Sequence, residues 1–230
     1  MKDLCCVRIT NKCNEMCDHC CFRSSPECVG SMSISMCQLF NKWLPDQTTM
    51  VITGGEFTVL DDYPDLLVAL SMGRDKVRLT TNGSWSNSDE GVLKFTNTLT
   101  RLNEICNEVE ISVSTDSWHS GSGKLALDIL KEFSVFDIGE IKLQNVAPVG
   151  RAWDNLIMPP SIAFTHSCKR ISFITVIESG LICKCPYGYF AWENFIDVIY
   201  EEAKEYVDSW RSRKLQHRMN CRVCMEELAV

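Results

Sequence analysis

No apolar run in this chain approaches the roughly 18 residues that a membrane-spanning helix needs. The N-terminus, MKDLCCVRIT, lacks the long apolar stretch of a signal peptide and reads as a strand. These absences place the chain in the cytoplasm, with no membrane partner. There is also no basic tract: 23 Lys+Arg face 30 Asp+Glu, for a net charge of −7. That argues against nucleic acid as a substrate. It leaves room for a cationic partner or a basic peptide. The composition is otherwise that of a soluble globular protein, 45% hydrophobic and 23% charged. A chain of 230 residues buries one good core, or one core plus a small appendage.

What the chain has in excess is cysteine, 14 in all. In a reducing compartment these are better explained by metal than by a disulfide framework. The informative stretch is TNKCNEMCDHCCF, residues 10–22, where Cys13, Cys17 and Cys20 stand at C-x3-C-x2-C directly after the first strand. Three thiolates are one short of what a four-iron cubane takes from protein. A structural zinc also wants four. Three ligands leave one iron open to bind something else. Cys21, next door, is a competing ligand by position.

The chain then alternates strand and helix. Residues 4–10 read as a strand and 31–44 as a helix with a serine cap, closed by Pro45. Residues 48–53 are a second strand, and 61–72 a helix with Tyr63, Leu66, Leu67 and Leu70 inward. Residues 76–81 are a third strand, 88–106 a mostly helical connection and 109–115 a fourth strand. Residues 124–133 are a helix with Leu125, Ile129 and Leu130 on its inner face, and 140–146 a fifth strand. This rhythm predicts parallel βαβ units, whose chemistry gathers at the carboxyl ends of the strands. Motifs stand at each of those ends. They are the cysteine loop, Gly54-Gly55-Glu56, Thr80-Thr81-Asn82-Gly83, Ser114-Thr115-Asp116 and Val149-Gly150-Arg151. Singly each is an ordinary turn.

Taken in this order, residues 4–152 resemble the core of the radical S-adenosylmethionine (SAM) superfamily, an α/β partial parallel (β/α) barrel of five or six strands. Asn14 follows the first cysteine, as it often does in that family, and His19 stands where an aromatic residue often packs on the cluster. The resemblance implies a [4Fe–4S] cluster on Cys13, Cys17 and Cys20, with SAM chelated to the open iron. Reductive cleavage of the sulfonium then yields a 5′-deoxyadenosyl radical. It also implies that Gly54, Gly55 and Glu56 hold the amino group of SAM. Asn82 and Ser114 sit where the family contacts ribose and carboxylate, and Val149 and Arg151 lie in a segment that packs on adenine. In the run TDSWH, Asp116 is a candidate for the ribose or substrate and His119 for proton acceptance.

After Arg151 the rhythm stops, and Met158-Pro159-Pro160 marks a boundary near residue 155 between a core (1–155) and a C-terminal unit (156–230). The C-terminal unit reads as Cys168, a hairpin of residues 171–177 and 181–184 carrying Cys183, and a helix near 193–213. Cys221-x2-Cys224 closes it. This hairpin-plus-helix layout resembles the twitch (shortened SPASM) domain, which implies a second, auxiliary [4Fe–4S] cluster on Cys168, Cys183, Cys221 and Cys224. Zinc suits the same four thiolates by ligand count. Cys185, two residues on along the strand, faces the same side as Cys183. Cys5, Cys6, Cys28, Cys37 and Cys106 are read as small apolar or incidental thiols.

The function expected from the resemblance is hydrogen-atom abstraction followed by oxidation through the auxiliary cluster, with modification of a ribosomally made peptide preferred by analogy. Peptide maturases often carry an N-terminal recognition domain. None precedes the first strand here, so a separate recognition protein would replace it. An electron donor such as flavodoxin or ferredoxin is expected. Dehydrogenation of a small alcohol, as in aminocyclitol dehydrogenases, is the alternative. A non-catalytic redox sensor is the alternative from another class. A glycyl-radical activase would not need the C-terminal cysteines.

Overall fold

The computed structural model describes residues 4–44, 48–133, 136–141, 151 and 155, and the backbone of 173–176, 181–183 and 191–194. Four βα repeats lead into a fifth strand. In order they are β1 (Leu4–Arg8), α1 (Ile34–Trp43), β2 (Thr49–Thr53), α2 (Tyr63–Ser71), β3 (Lys76–Thr81), α3 (Asp89–Ile105), β4 (Glu108–Ser114), α4 (Ser122–Lys131) and β5 (Asp137–Ile141). Then come β6 (Phe173–Val176), β7 (Leu181–Cys183) and β8 (Ala191–Asn194). All eight form one sheet in the order β5-β4-β3-β2-β1-β6-β7-β8. The first six strands are parallel where they pair, and β6-β7-β8 turn back antiparallel.

Local chemistry sets the helix ends. The Ser33 hydroxyl caps α1 by accepting from the Met36 N–H, and Ser88 caps α3 by accepting from Gly91. Gly73, at φ +75°, ends the second repeat in a conformation other residues adopt at a cost. Tyr63, Leu66, Leu67 and Leu70 are all buried, as their spacing predicts. Behind the turns that follow β2 and β3 runs an aromatic row. Phe57 meets Tyr63 edge to face and stacks toward Phe95, and Phe95 stacks on Trp85 with ring centroids 4.1 Å apart. Phe57 follows Glu56 and Trp85 lies two residues after Gly83, so this row fixes both turns from beneath.

Three elements differ from the sequence reading. The fifth strand begins at Asp137, where β4 first offers a partner, and not at 140: Asp137 pairs Glu110 and Ile141 pairs Ser114, and residues 142–146 of the expected strand lie outside the described residues. The inner face of α4 is Ser122, Gly123, Ala126, Leu127 and Leu130, while Leu125 is half exposed. Gly123 explains this: a Cβ there would lie 1.9 Å from the Ser114 carbonyl oxygen, so α4 packs on β4 through small residues. Of the expected helix from about residue 193, Glu193 and Asn194 belong to β8, and the rest lies outside the described residues. The predicted hairpin is present as β6 and β7. Its first strand lies parallel beside β1, so β1 sits in the interior of the sheet.

Candidate active site

The cysteine loop leaves the end of β1 and is fastened at once to the end of β2. The Gly55 N–H donates to Thr10 O at 2.8 Å and the Glu56 N–H to Lys12 O at 2.9 Å. The glycines permit this approach. A Cβ on Gly55 would stand 2.2 Å from the Lys12 carbonyl oxygen, and one on Gly54 3.0 Å from Thr10 O. The pair of glycines therefore brings two strand ends together immediately before Cys13.

Cys13 is buried, and Cys17 and Cys20 are half-buried. Backbone amides point at two of the sulfurs: the Glu15 N–H donates to Cys13 Sγ and the Ser24 N–H to Cys20 Sγ, each at 3.4 Å. Such bonds favour thiolate and suit a cluster ligand. Burial pushes the Cys13 thiol up to about 12. Burial also raises Cys17, helped by the Glu15 carboxylate, to which its Sγ donates at 3.2 Å. Both thiols are thus protonated until a metal displaces the protons. Cys21 is raised to about 12, first by burial and then by the neighbouring Cys20. Of the other cysteines, Cys5, Cys6, Cys37 and Cys106 are buried, and Cys28 is half-buried between Asn11 and Ser25.

Glu56 is 1% exposed, and four donors meet its carboxylate. These are the Asn82 N–H at 2.7 Å, the Thr58 hydroxyl at 2.8 Å, the Thr81 hydroxyl at 3.0 Å and the Thr58 N–H at 3.3 Å. It ties the end of β2 to the end of β3. Asn82 carries the tie onward, donating from Nδ2 to Asn14 Oδ1 at 2.9 Å and approaching Cys13 Sγ at 4.0 Å. The contact between Asn82 and the residue after the first cysteine has no sequence signal.

Burial raises the Glu56 carboxyl above its ordinary value, with the hydrogen bonds opposing. Its stabilising contribution is therefore complete below the unfolded-state value and is lost as pH rises through the folded one. We expect Glu56→Gln to be most destabilising at acid pH and progressively less so toward neutrality. Urea midpoints of both proteins across that range check it. A gap that widens with pH would mean the carboxylate is net stabilised by its donors.

At the end of β4, Ser114 is buried and Asp116 binds His119, with Oδ1 2.8 Å from Nδ1. Asp116 Oδ1 also accepts from the Trp118 N–H. Asp116 Oδ2 and His19 Nδ1 are buried with no hydrogen-bond partner among the described residues. His19 packs against His119 edge-on and against Trp118, with centroids 5.0 and 5.4 Å apart. Burial, then the neighbouring His119, lowers the His19 pKa. Ligand atoms of Glu15, Cys17 and His119 lie within 4.8 Å of one another. Glu15 reaches across to accept from the Ser120 N–H at 3.3 Å, joining the loop to the β4 exit.

Arg151 is also at the loop, with its guanidinium and its N–H on the carbonyls of Cys17, Ser24 and Cys20. The structure thus gathers the three cysteines, the glycine pair, Glu56, Asn82, Asp116, His119 and Arg151 around one loop. Cys183 lies on β7, opposite Thr175 and Ala191. Val149, Cys168, Cys185, Cys221 and Cys224 lie outside the described residues. The sequence reading did not single out Glu15, Ser24 or Asn155.

Residues 7–133 match the profile of the Radical SAM superfamily, more than half of the chain. The chain belongs to the radical SAM superfamily. For this radical SAM protein the family implies a [4Fe–4S] cluster and SAM, and the three-cysteine loop with its amide-to-sulfur bonds fits the cluster. YydG of Bacillus subtilis (strain 168), whose name assigns it provisionally to peptide biosynthesis, is 29% identical over 143 residues. That match covers 57% of this chain and 43% of YydG, less than half of the relative's length. Among solved structures, anSMEcpe with bound AdoMet and the Cp18Cys peptide superposes with a TM-score of 0.57 at 15% identity, covering 88% of this chain and 80% of that one. BtrN in an open conformation gives 0.54 at 15% identity, covering 96% and 88%. At these identities the likeness is one of fold. No helix among the described residues is long and apolar enough to cross a membrane.

Proposed function

We propose that this radical SAM protein modifies a ribosomally made peptide by abstracting a hydrogen atom from carbon and oxidising the resulting radical. The observation that carries the reading is the three-cysteine loop fastened to the Gly54-Gly55-Glu56 turn, with His119, bound by Asp116, beside Cys17. Cluster and SAM, when bound, supply the 5′-deoxyadenosyl radical. Gly54 and Gly55 bring backbone to the amino group of SAM. Asn82 and Ser114 would bound its ribose and carboxylate side, and the resemblance assigns Val149, outside the described residues, to the adenine. Asp116 holds His119 in one orientation to accept the substrate's proton. The net change is loss of two hydrogens: one atom to deoxyadenosine, then one proton to His119 and one electron to an acceptor.

For the electron we assign an auxiliary cluster on Cys168, Cys183 or its neighbour Cys185, Cys221 and Cys224. Peptide as the substrate class is supported by the name of YydG and by the peptide held in anSMEcpe. A flavodoxin- or ferredoxin-type donor and a separate recognition protein complete the proposal.

Anaerobic incubation with SAM, dithionite and a short precursor peptide encoded beside this gene tests it. We expect 5′-deoxyadenosine and a peptide lighter by two hydrogens, in equal amounts. Turnover of an aminocyclitol in place of peptide would move the reading to small-alcohol dehydrogenation. Absence of deoxyadenosine under every reductant would favour a redox sensor. The auxiliary cluster has its own test. The Cys13/Cys17/Cys20 triple Ala variant should keep roughly four irons in a cubane by Mössbauer spectroscopy. Zinc in their place would make the C-terminal cysteines a structural clip.

A further inference from the structure

The expectation for Arg151 was contact with SAM, yet its side chain is spent on the protein itself. Nη1 donates to Cys17 O at 2.7 Å and Nη2 to Ser24 O at 2.8 Å, while its own N–H donates to Cys20 O at 2.9 Å. Four residues on, Asn155 Nδ2 donates to Asp18 O at 3.3 Å and to Asp18 Oδ1 at 3.1 Å. The Asn155 N–H donates to Arg151 O at 2.9 Å, so the two side chains project from one turn. Between them the side chains take the carbonyls of Cys17, Ser24 and Asp18, and the Arg151 N–H takes that of Cys20.

The loop's own backbone-to-backbone bonds are few beside its bonds to sulfur and side chains. The Cys20 N–H donates to Cys17 O, the Arg23 N–H to Cys20 O and the Cys13 N–H to Ser25 O. Within it Arg23 sits at φ +55°, a left-handed conformation that a non-glycine residue keeps only when its surroundings impose it. A planar guanidinium is suited to bridge two fixed carbonyls, and an ammonium is not.

We propose that Arg151 is a positioning residue for Cys17 and Cys20. With Asn155 it forms a clasp that orders the loop in the metal-free protein, so that the sulfurs are in place before iron arrives. This rests on the reading of Cys13, Cys17 and Cys20 as cluster ligands, and not on the identity of the substrate.

The test uses the full chain with Arg151→Lys, Arg151→Gln and Asn155→Ala. Hydrogen exchange of residues 17–24 is measured in the metal-free proteins. Iron and sulfide uptake is then measured at limiting iron, and SAM affinity is measured per loaded cluster. We expect both Arg151 variants to exchange about tenfold faster across the loop. They should load severalfold less iron at the limit, recover at excess iron, and bind SAM normally once loaded. Lysine should rescue no better than glutamine. Asn155→Ala should show the same two effects in smaller measure, and it decides the matter if the Arg151 variants do not fold.

Wild-type exchange in the loop would overturn the clasp. So would normal loading combined with SAM affinity lowered tenfold per cluster, which would return Arg151 to the SAM side. If wild-type protein takes up no iron that depends on the three cysteines, the cluster reading fails, and the exchange measurement alone then decides the clasp.

Discussion

Gly55→Ala should leave the protein folded and nearly unable to hold its SAM-binding cluster. The added methyl would stand 2.2 Å from the Lys12 oxygen and 2.7 Å from the Lys12 carbonyl carbon. Neither atom can swing aside as a side chain would, because Lys12 is backbone here and is pinned by the Glu56 N–H. The strain resolves by moving the segment that leads into Cys13. Overpacking of this kind costs about 1–3 kcal/mol, enough to lower the loaded fraction roughly tenfold or more. Gly54→Ala meets Thr10 at 3.0 Å and should fall between this variant and wild type. Iron content after reconstitution, with circular dichroism as the control for folding, is the measurement. Wild-type iron in Gly55→Ala would mean that the two strand ends can separate without disturbing the cysteines.

Cys17→Ala and Cys20→Ala should each abolish SAM cleavage with little loss of stability. Both side chains are half-buried on a loop outside the hydrophobic core, so their removal opens no core cavity. Two thiolates do not hold a cubane that needs three from this loop. Cys21→Ala is the control. Cys21 is half-buried, with its pKa raised to about 12 by burial and then by Cys20, and the variant should cleave SAM as wild type does. Deoxyadenosine release decides. A silent Cys21 variant beside an active Cys20 variant would shift the ligand set by one residue. Because the Cys13 and Cys17 thiols are held protonated, loading should also quicken as pH rises and protons leave more readily.

The parts of this design that were legible in the sequence are those written in side-chain chemistry. Strands rich in β-branched residues that stop at Gly54, Gly83 or Asp116 announce both themselves and the face where their ends meet. The cysteine spacing announces the cluster loop. What was not legible is written in backbone. The start of β5 follows from where β4 supplies a partner for Asp137, three residues before the expected start. The inner face of α4 is chosen by the Ser114 carbonyl, which admits Gly123 and turns Leu125 outward. Arg151 reaches carbonyls across 134 residues of sequence, and a carbonyl has no letter of its own. Glu56 was legible as a functional position, but the four donors around its carboxylate were not.

The position of β1 bears on how the chain is made. It is synthesised before β2 to β5, yet it lies between β2 and β6, and β6 follows β5 in the chain. Until β6 is made, then, one edge of β1 carries unpaired N–H and C=O groups, open to any passing strand. The adjoining cysteine loop waits equally long for Arg151 and Asn155. A nascent chain of this kind has a long interval of exposure to aggregation and to premature metal capture, and truncation before residue 151 would leave it there permanently. Expression at lowered temperature, or with a chaperone engaged early, should raise the yield of protein competent to take up iron.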